Sequence, residues 1–348
     1  MRKINTALCS FGMSGTVFHA PFIHLHAGFN LYAVWERSKN IAAEKYPSIK
    51  TYRTLEDLLA DDLVELVIVN TPNYTHYDYA KKALLAGKHV VVEKSFTVTV
   101  SEADELIKIA KDQNKKIAVF QNRRYDSDFK TIKKIIEEGV LGEIVEAEFH
   151  YDRFNKNLSY KQHKEIDAPG AGVLHDLGPH LIDQALVLFG MPESVFCQLR
   201  IVRPLSSVTD YMDLFLYYPK LSVRLKSSYI IKEPIPSFVL HGMNGSFIKE
   251  RADVQEADLL GNKKPGGEDW GTEPQAAAGL LNIIRDGETV REKIKSLQGN
   301  YLEFYDEVYK ALINDKPMPV TAKDGLHVMK IIEAALKSNE AGCKIKLD

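Results

Sequence analysis

Within the first 120 residues, short segments that are apolar on both faces recur between helical stretches, and few folds accommodate that pattern. Residues 4–9, 31–35, 66–70, 89–92 and 117–120 are brief, rich in β-branched side chains and almost wholly apolar. Strands of that kind must be covered on both sides. Helical periodicity over 75–86, closed by Gly87, and over 101–113 supplies such cover. Ser101 followed by Asp104 has the spacing of a capping box and predicts the start of the second helix. Strands and helices alternating at this spacing predict an α/β fold, a doubly wound parallel sheet with right-handed crossovers.

The pattern changes after about residue 122. A helix over 129–138, stopped by Gly139, leads into segments of period two at 143–151, 195–202, 211–218, 222–229 and 237–241. Apolar and polar residues alternate there, which predicts a large, mostly antiparallel open sheet with one solvated face. Helices are expected over 181–189, ended by Gly190 and Pro192, and over 301–314 and 326–339. Residues 261–274, rich in Gly, Pro and charge, read as a loop. A chain of 348 residues is long for one domain. The expected division is a Rossmann-type domain at 1–121 and an α+β domain at 122–348.

Composition removes several functional classes. A net charge of −2 gives no global reason to bind nucleic acid or an anionic membrane. The three cysteines, Cys9, Cys197 and Cys343, form no C-x-x-C pair, so neither a disulfide scaffold nor a Cys-based zinc site is expected. Arg2 and Lys3 resemble the start of a signal peptide, but Asn5, Thr6 and Ser10 interrupt the apolar run that should follow. No apolar stretch approaches the roughly 20 residues of a membrane span. The expectation is a cytoplasmic protein.

Three motifs carry chemistry. The first strand runs into Ser10-Phe11-Gly12-Met13-Ser14-Gly15, the dinucleotide fingerprint G-x-G-x-x-G with serine at its first glycine. Glycine is kept where backbone must approach a pyrophosphate, Gly12, and where helix meets strand, Gly15. Glu36, 21 residues past Gly15, stands where a carboxylate can accept from both ribose hydroxyls, which tilts the expected cofactor, NAD or NADP, toward NAD. Arg37, Ser38 and Lys39 follow at once and could hold a 2′-phosphate if Glu36 turns away. The second motif is Glu93-Lys94 after the strand 89–92. Ligands of open α/β sheets bind at the carboxyl ends of strands, and Thr71, Pro72, Asn73 and His76 should line the same crevice. An exposed ion pair at Glu93-Lys94 and a helix-start histidine at His76 are the plainer alternatives. The third motif is residues 170–180, where Asp176 and His180 lie four apart. They share a face if one helix runs through, or Gly178-Pro179 starts a new helix. Either arrangement sets a carboxylate near an imidazole, as a general base requires. No further ligand has recognisable spacing, so no metal is expected.

Together Gly12–Gly15, Glu93-Lys94, Asn122-Arg123-Arg124 and Asp176 with His180 resemble the glucose–fructose oxidoreductase / inositol dehydrogenase (Gfo/Idh/MocA) family. Residues 12–21 and 122–126 are most similar to its scyllo-inositol dehydrogenases and their relatives. The resemblance implies a Rossmann domain followed by an α/β domain whose open sheet builds a dimer or tetramer. It implies that Lys94, Asp176 and His180 form the catalytic group, with His180 as acid/base. It departs at Ser95, where the family carries proline, which removes a ring that fixes the loop. The activity implied is NAD(P)-dependent oxidation of a secondary hydroxyl of a sugar, inositol or related polyol. Arg124, Tyr125, Tyr151, Arg153 and His163 are candidates for the polar wall such a substrate needs. A non-catalytic nucleotide sensor and an NAD-dependent glycosidase are the alternatives.

Overall fold

The computed structural model describes residues 2–159 and 165–347. The chain divides into two compact units. The first comprises residues 1–122, 255–270 and 300–329, and the second 123–254, 271–299 and 330–348. The first unit thus gathers two segments from the last third of the chain.

The first unit is built on β1 (Ile4–Leu8), β2 (Phe29–Trp35), β3 (Lys50–Tyr52), β4 (Leu66–Val69), β5 (His89–Glu93) and β6 (Ile117–Phe120). All pair in parallel, in the order β3-β2-β1-β4-β5-β6. Every residue of β4 and β6 is buried, which is why both read as unbroken apolar runs. Connecting segments carry α1 (Ala20–Leu25), α2 (Ile41–Lys45), α3 (Leu55–Leu59), α4 (His76–Leu85) and α5 (Val100–Asp112). The chain reverses its direction of winding between β1 and β4, and at such a switch point the carboxyl ends of the strands leave a crevice for a ligand. The cap of α5 is a correction to the sequence reading. Thr99, not Ser101, is the capping residue: its hydroxyl accepts from Glu102 N at 3.2 Å, and Glu102 accepts from Thr99 N at 3.0 Å. Thr99 has the extended backbone that a cap needs, whereas Ser101 is already inside the helix.

The second unit contains α6 (Ser127–Glu137), β7 (Ile144–His150), α7 (Val173–Asp176), α8 (Gly178–Phe189), β8 (Ser194–Arg200), β9 (Tyr211–Tyr217), β10 (Ser222–Ser228), β11 (Phe238–Gly242) and β12 (Gly245–Lys249). Helix α9 (Gln255–Leu260) falls in the first unit, β13 (Gly279–Arg285) and β14 (Glu288–Ile294) in the second, and α10 (Leu302–Ile313) in the first. Helix α11 (Ala322–Ala341) and β15 (Ile345–Lys346) follow. The nine strands run β14-β13-β12-β11-β7-β10-β9-β8-β15, antiparallel except for β7 with β10. Strands β12 to β14 were missed by the sequence reading, although Asp286-Gly287 between β13 and β14 is a hairpin signal. Both residues have positive φ, 53° and 82°. Among the described residues no helix is long and apolar enough to cross a membrane.

Candidate active-site residues

In the first unit the loop after β1 is shaped by two glycines with different reasons to be there. A Cβ on Gly15 would lie 2.5 Å from the carbonyl oxygen of Ser10 and 2.9 Å from Asn70 Nδ2, so no side chain fits. A Cβ on Gly12 would meet nothing within 4 Å. That open space fits a diphosphate drawn against bare backbone. Serine at position 10 adds one hydroxyl bond that glycine could not make to two that the backbone makes. Its Oγ donates to Asn70 O at 2.8 Å, its N–H donates to Asn70 Oδ1 at 3.0 Å, and Asn70 Nδ2 donates back to Ser10 O at 2.9 Å. Asn70 braces this loop, a role that sequence reasoning passed over. Its signal was a lone polar residue closing an apolar strand.

Glu93 is not part of a surface ion pair. Its carboxylate is largely buried and accepts from the Ser14 hydroxyl, from His19 Nε2 at 3.0 Å and from Lys94 N at 3.2 Å. Burial pushes this carboxyl up, but the hydrogen bond and charge of His19, then Ser14 and Lys94, outweigh it and leave it below its ordinary range. His19 in turn lies 2.7 Å, through Nδ1, from the Tyr305 hydroxyl. Lys94 follows at the end of β5, half-buried.

His76 takes the plainer reading. It begins α4, fully buried, with Nδ1 2.7 Å from Ser95 O and Nε2 2.8 Å from Thr71 O, so it braces two loops from behind. Burial holds the ring's proton affinity below the ordinary histidine value. Thr71 and Thr75 share a 2.7 Å hydroxyl contact; Pro72 is exposed, Asn73 half-buried in the short turn that follows, and Met13 exposed.

Glu36 does not present its carboxylate as expected. Both oxygens accept backbone N–H groups at the start of α2, Ile41 and Ala42, each at 3.1 Å. Arg53 fixes the intervening loop by donating to Glu36 O, Lys39 O and Asn40 Oδ1. Arg37, Ser38 and Lys39 stand exposed. Of the two arrangements the sequence left open, the turned-away carboxylate is the one found.

In the second unit a break in helix places the third motif. Gly172 has φ +86°, and a Cβ there would sit 2.4 Å from Thr209 Oγ1, so glycine is required where α7 begins. Asp176 ends α7, and Gly178 opens α8 with Pro179 in its first turn. Of the two sequence alternatives, the new helix is correct. The Tyr229 hydroxyl donates to Asp176 Oδ2 at 3.2 Å. The His180 ring is buried and lies near-parallel to Tyr151, their centroids 6.4 Å apart. The Arg153 guanidinium is 5.4 Å from the Tyr151 ring and 5.9 Å from that of Tyr229. Tyr151 and Arg153 thus stand beside Asp176 and His180. Arg124 does not join them. It makes a two-pronged ion pair with Asp183, at 2.8 and 2.6 Å, and Tyr125 is buried in the core. His163 lies outside the described residues. Among the described residues no group of three or more His, Cys, Asp or Glu side chains could hold a metal ion.

With this geometry in place, comparison with known proteins identifies the class. Residues 4–121 match the family model described as "Oxidoreductase family, NAD-binding Rossmann fold", and residues 133–347 match "Oxidoreductase family, C-terminal alpha/beta domain". The chain belongs to the Gfo/Idh/MocA oxidoreductase family, and NAD(P) is the cofactor of its Rossmann domain. It is 35% identical to the scyllo-inositol 2-dehydrogenase (NADP(+)) IolW of Bacillus subtilis, over 100% of this chain and 98% of that one. It is 39% identical to the oxidoreductase C115.03 of Schizosaccharomyces pombe, over the whole of both chains. A solved structure of an oxidoreductase from Bacillus cereus matches with a TM-score of 0.91 at 31% identity, covering 100% of this chain and 99% of that one.

Proposed function

We propose that the protein oxidises a secondary hydroxyl of a cyclic polyol, with NADP as its preferred acceptor. The observation that carries the reading is the placement of His180. It is a buried imidazole on the first turn of α8, beside the amphipathic ring of Tyr151 and one turn from a carboxylate held by Tyr229. Similarity to a scyllo-inositol dehydrogenase along the full chain supports the substrate class. The turned-away Glu36 and the exposed Arg37 and Ser38 support NADP, because a carboxylate facing the ribose would repel a 2′-phosphate and a guanidinium would hold it.

When bound, the cofactor supplies the two-electron acceptor for the hydride leaving the carbinol carbon. The protein's part is the proton and the charge. His180 accepts the hydroxyl proton, and the Lys94 ammonium is the group available to stabilise negative charge on a substrate oxygen. Asp176, oriented by Tyr229, takes a hydrogen bond from a neighbouring hydroxyl. Incubating the protein with a panel of inositols, sugars and glycosides, with NADP and with NAD, tests the reading by absorbance of the reduced cofactor. The expected result is reduction with at least one inositol and at least tenfold tighter binding of NADP. Nucleotide binding without reduction across the panel points to a sensor. Release of sugar without net reduction points to a glycosidase.

A further inference from the structure

Glu93 presents an electrostatic problem. A carboxylate that touches Ser14 sits directly behind the loop that receives the cofactor diphosphate, and like charges there oppose binding. The structure holds a group that answers it. His19, with no solvent exposure, spans the distance from Glu93 to Tyr305. The Tyr305 hydroxyl also lies 3.1 Å from Phe18 O, which can only accept. With its proton on that carbonyl, Tyr305 must accept from His19 Nδ1–H, while the Glu93 carboxylate must accept from Nε2–H. All three contacts are satisfied together only by an imidazolium. The ring also lies against Phe120, with centroids 4.5 Å apart.

We propose that His19 is a positioning residue whose positive charge offsets Glu93 behind the phosphate loop, so that the loop accepts a nucleotide diphosphate. Glu93 can then do two things at once. One oxygen fixes Ser14, and the other accepts from the Lys94 amide, which ties the filled loop to the lysine's place in the chain. The proposal rests on the nucleotide-binding loop and not on the identity of the alcohol.

Titration of the whole protein with ADP and with NADP tests it without turnover, with thermal melting as the check on folding. His19→Gln keeps a donor toward Glu93 but removes the charge. Its dissociation constants for both nucleotides should rise tenfold or more. In the double variant H19Q/E93Q the carboxylate is gone too, and binding should return to within about threefold of native. A purely structural histidine would show no such rescue. If H19Q binds both nucleotides as the native protein does, or if the double variant stays as weak as H19Q, the proposal is wrong. Should H19Q fail to fold, nitrogen NMR of the native protein decides: a His19 ring protonated on both nitrogens at neutral pH upholds the idea, and a neutral His19 ring overturns it.

Discussion

The two sheets solve different problems with the same backbone chemistry. In the first unit all strands run one way, every strand end of one kind lies along one edge, and the loops there are tied to each other by side chains. Ser10 with Asn70, Ser14 with Glu93 and His76 with Thr71 and Ser95 are each ties from one βα loop to another. In the second unit antiparallel strands scatter their ends to both edges, and the candidate residues come from a helix break, Asp176 and His180, and from the end of one strand, Tyr151. The lesson is that the first unit, the cofactor's domain, presents a set of loops already bonded to one another. The second offers a few side chains on rigid elements, a layout that can change substrate without disturbing the sheet.

The largest expected effect would separate the two roles outright. Lys94→Ala in one unit and His180→Ala in the other should each lower turnover about 10²–10⁴-fold, as loss of a charge-stabilising or general-base group does. The dissociation constant for NADP should change less than roughly fivefold, about 1 kcal/mol. Steady-state kinetics on a confirmed substrate, paired with cofactor titration, reads both quantities. Near-full turnover in either variant removes that residue from the chemistry.

Three glycines sharpen the comparison further. Gly15→Ala and Gly172→Ala each force a Cβ into an occupied place, 2.5 Å from Ser10 O and 2.4 Å from Thr209 Oγ1 respectively. Overpacking of this kind costs about 1–3 kcal/mol, so both melting temperatures should fall by several degrees. Gly12→Ala meets free space and should melt as the native protein does, yet bind nucleotide at least tenfold more weakly. If G12A binds normally, the open space at Gly12 is not where the diphosphate lies.

The sequence disclosed the first unit more fully than the second, and the reasons are physical. Strands β4 and β6, buried on both faces, announce themselves as apolar runs. The three-residue edge strand β3, Lys-Thr-Tyr, carries no such signature. Strand β14, Glu-Thr-Val-Arg-Glu-Lys-Ile, has two apolar residues among seven and is mostly exposed, so it carries no strand periodicity. Gly12, Gly15, Lys94, Asp176 and His180 could be singled out as candidates because each stands in a local motif. The partners of those residues could not. His19 and Tyr305 are 286 positions apart, and Arg124 found Asp183 59 positions away. Glu36 was left open for a related reason: a carboxylate at a strand end can cap the next helix as readily as it can meet a ribose.

The smallest expected effect is in stability against pH, where the two units should respond with opposite sign. His89, at the start of β5, has its proton affinity pushed down to about 4 by burial, with Lys115 and Lys116 adding to it. Its Nδ1 accepts from Lys116 N at 3.0 Å, a bond only the unprotonated ring can make. An unfolded histidine titrates near 6.5, so the stabilisation is complete above that pH and is lost as pH falls toward 4. In the second unit Asp126 is fully buried, and burial raises its carboxyl well above the ordinary range. Arg123 and Arg251 pull it down, while Asp253 and Asp128 push it further up. A group raised in the folded state stabilises below its unfolded value, near 3.9, and loses that contribution as pH climbs through its folded value. Urea denaturation of the native protein, His89→Gln and Asp126→Asn at pH 5, 7 and 8.5 isolates the two groups. The native advantage over H89Q should shrink by about 1–2 kcal/mol from pH 7 to pH 5, a range that allows for the ring's partial exposure. D126N should gain on the native protein as pH rises. Slopes of the same sign for the two variants would show that burial of ionisable groups does not distinguish the units.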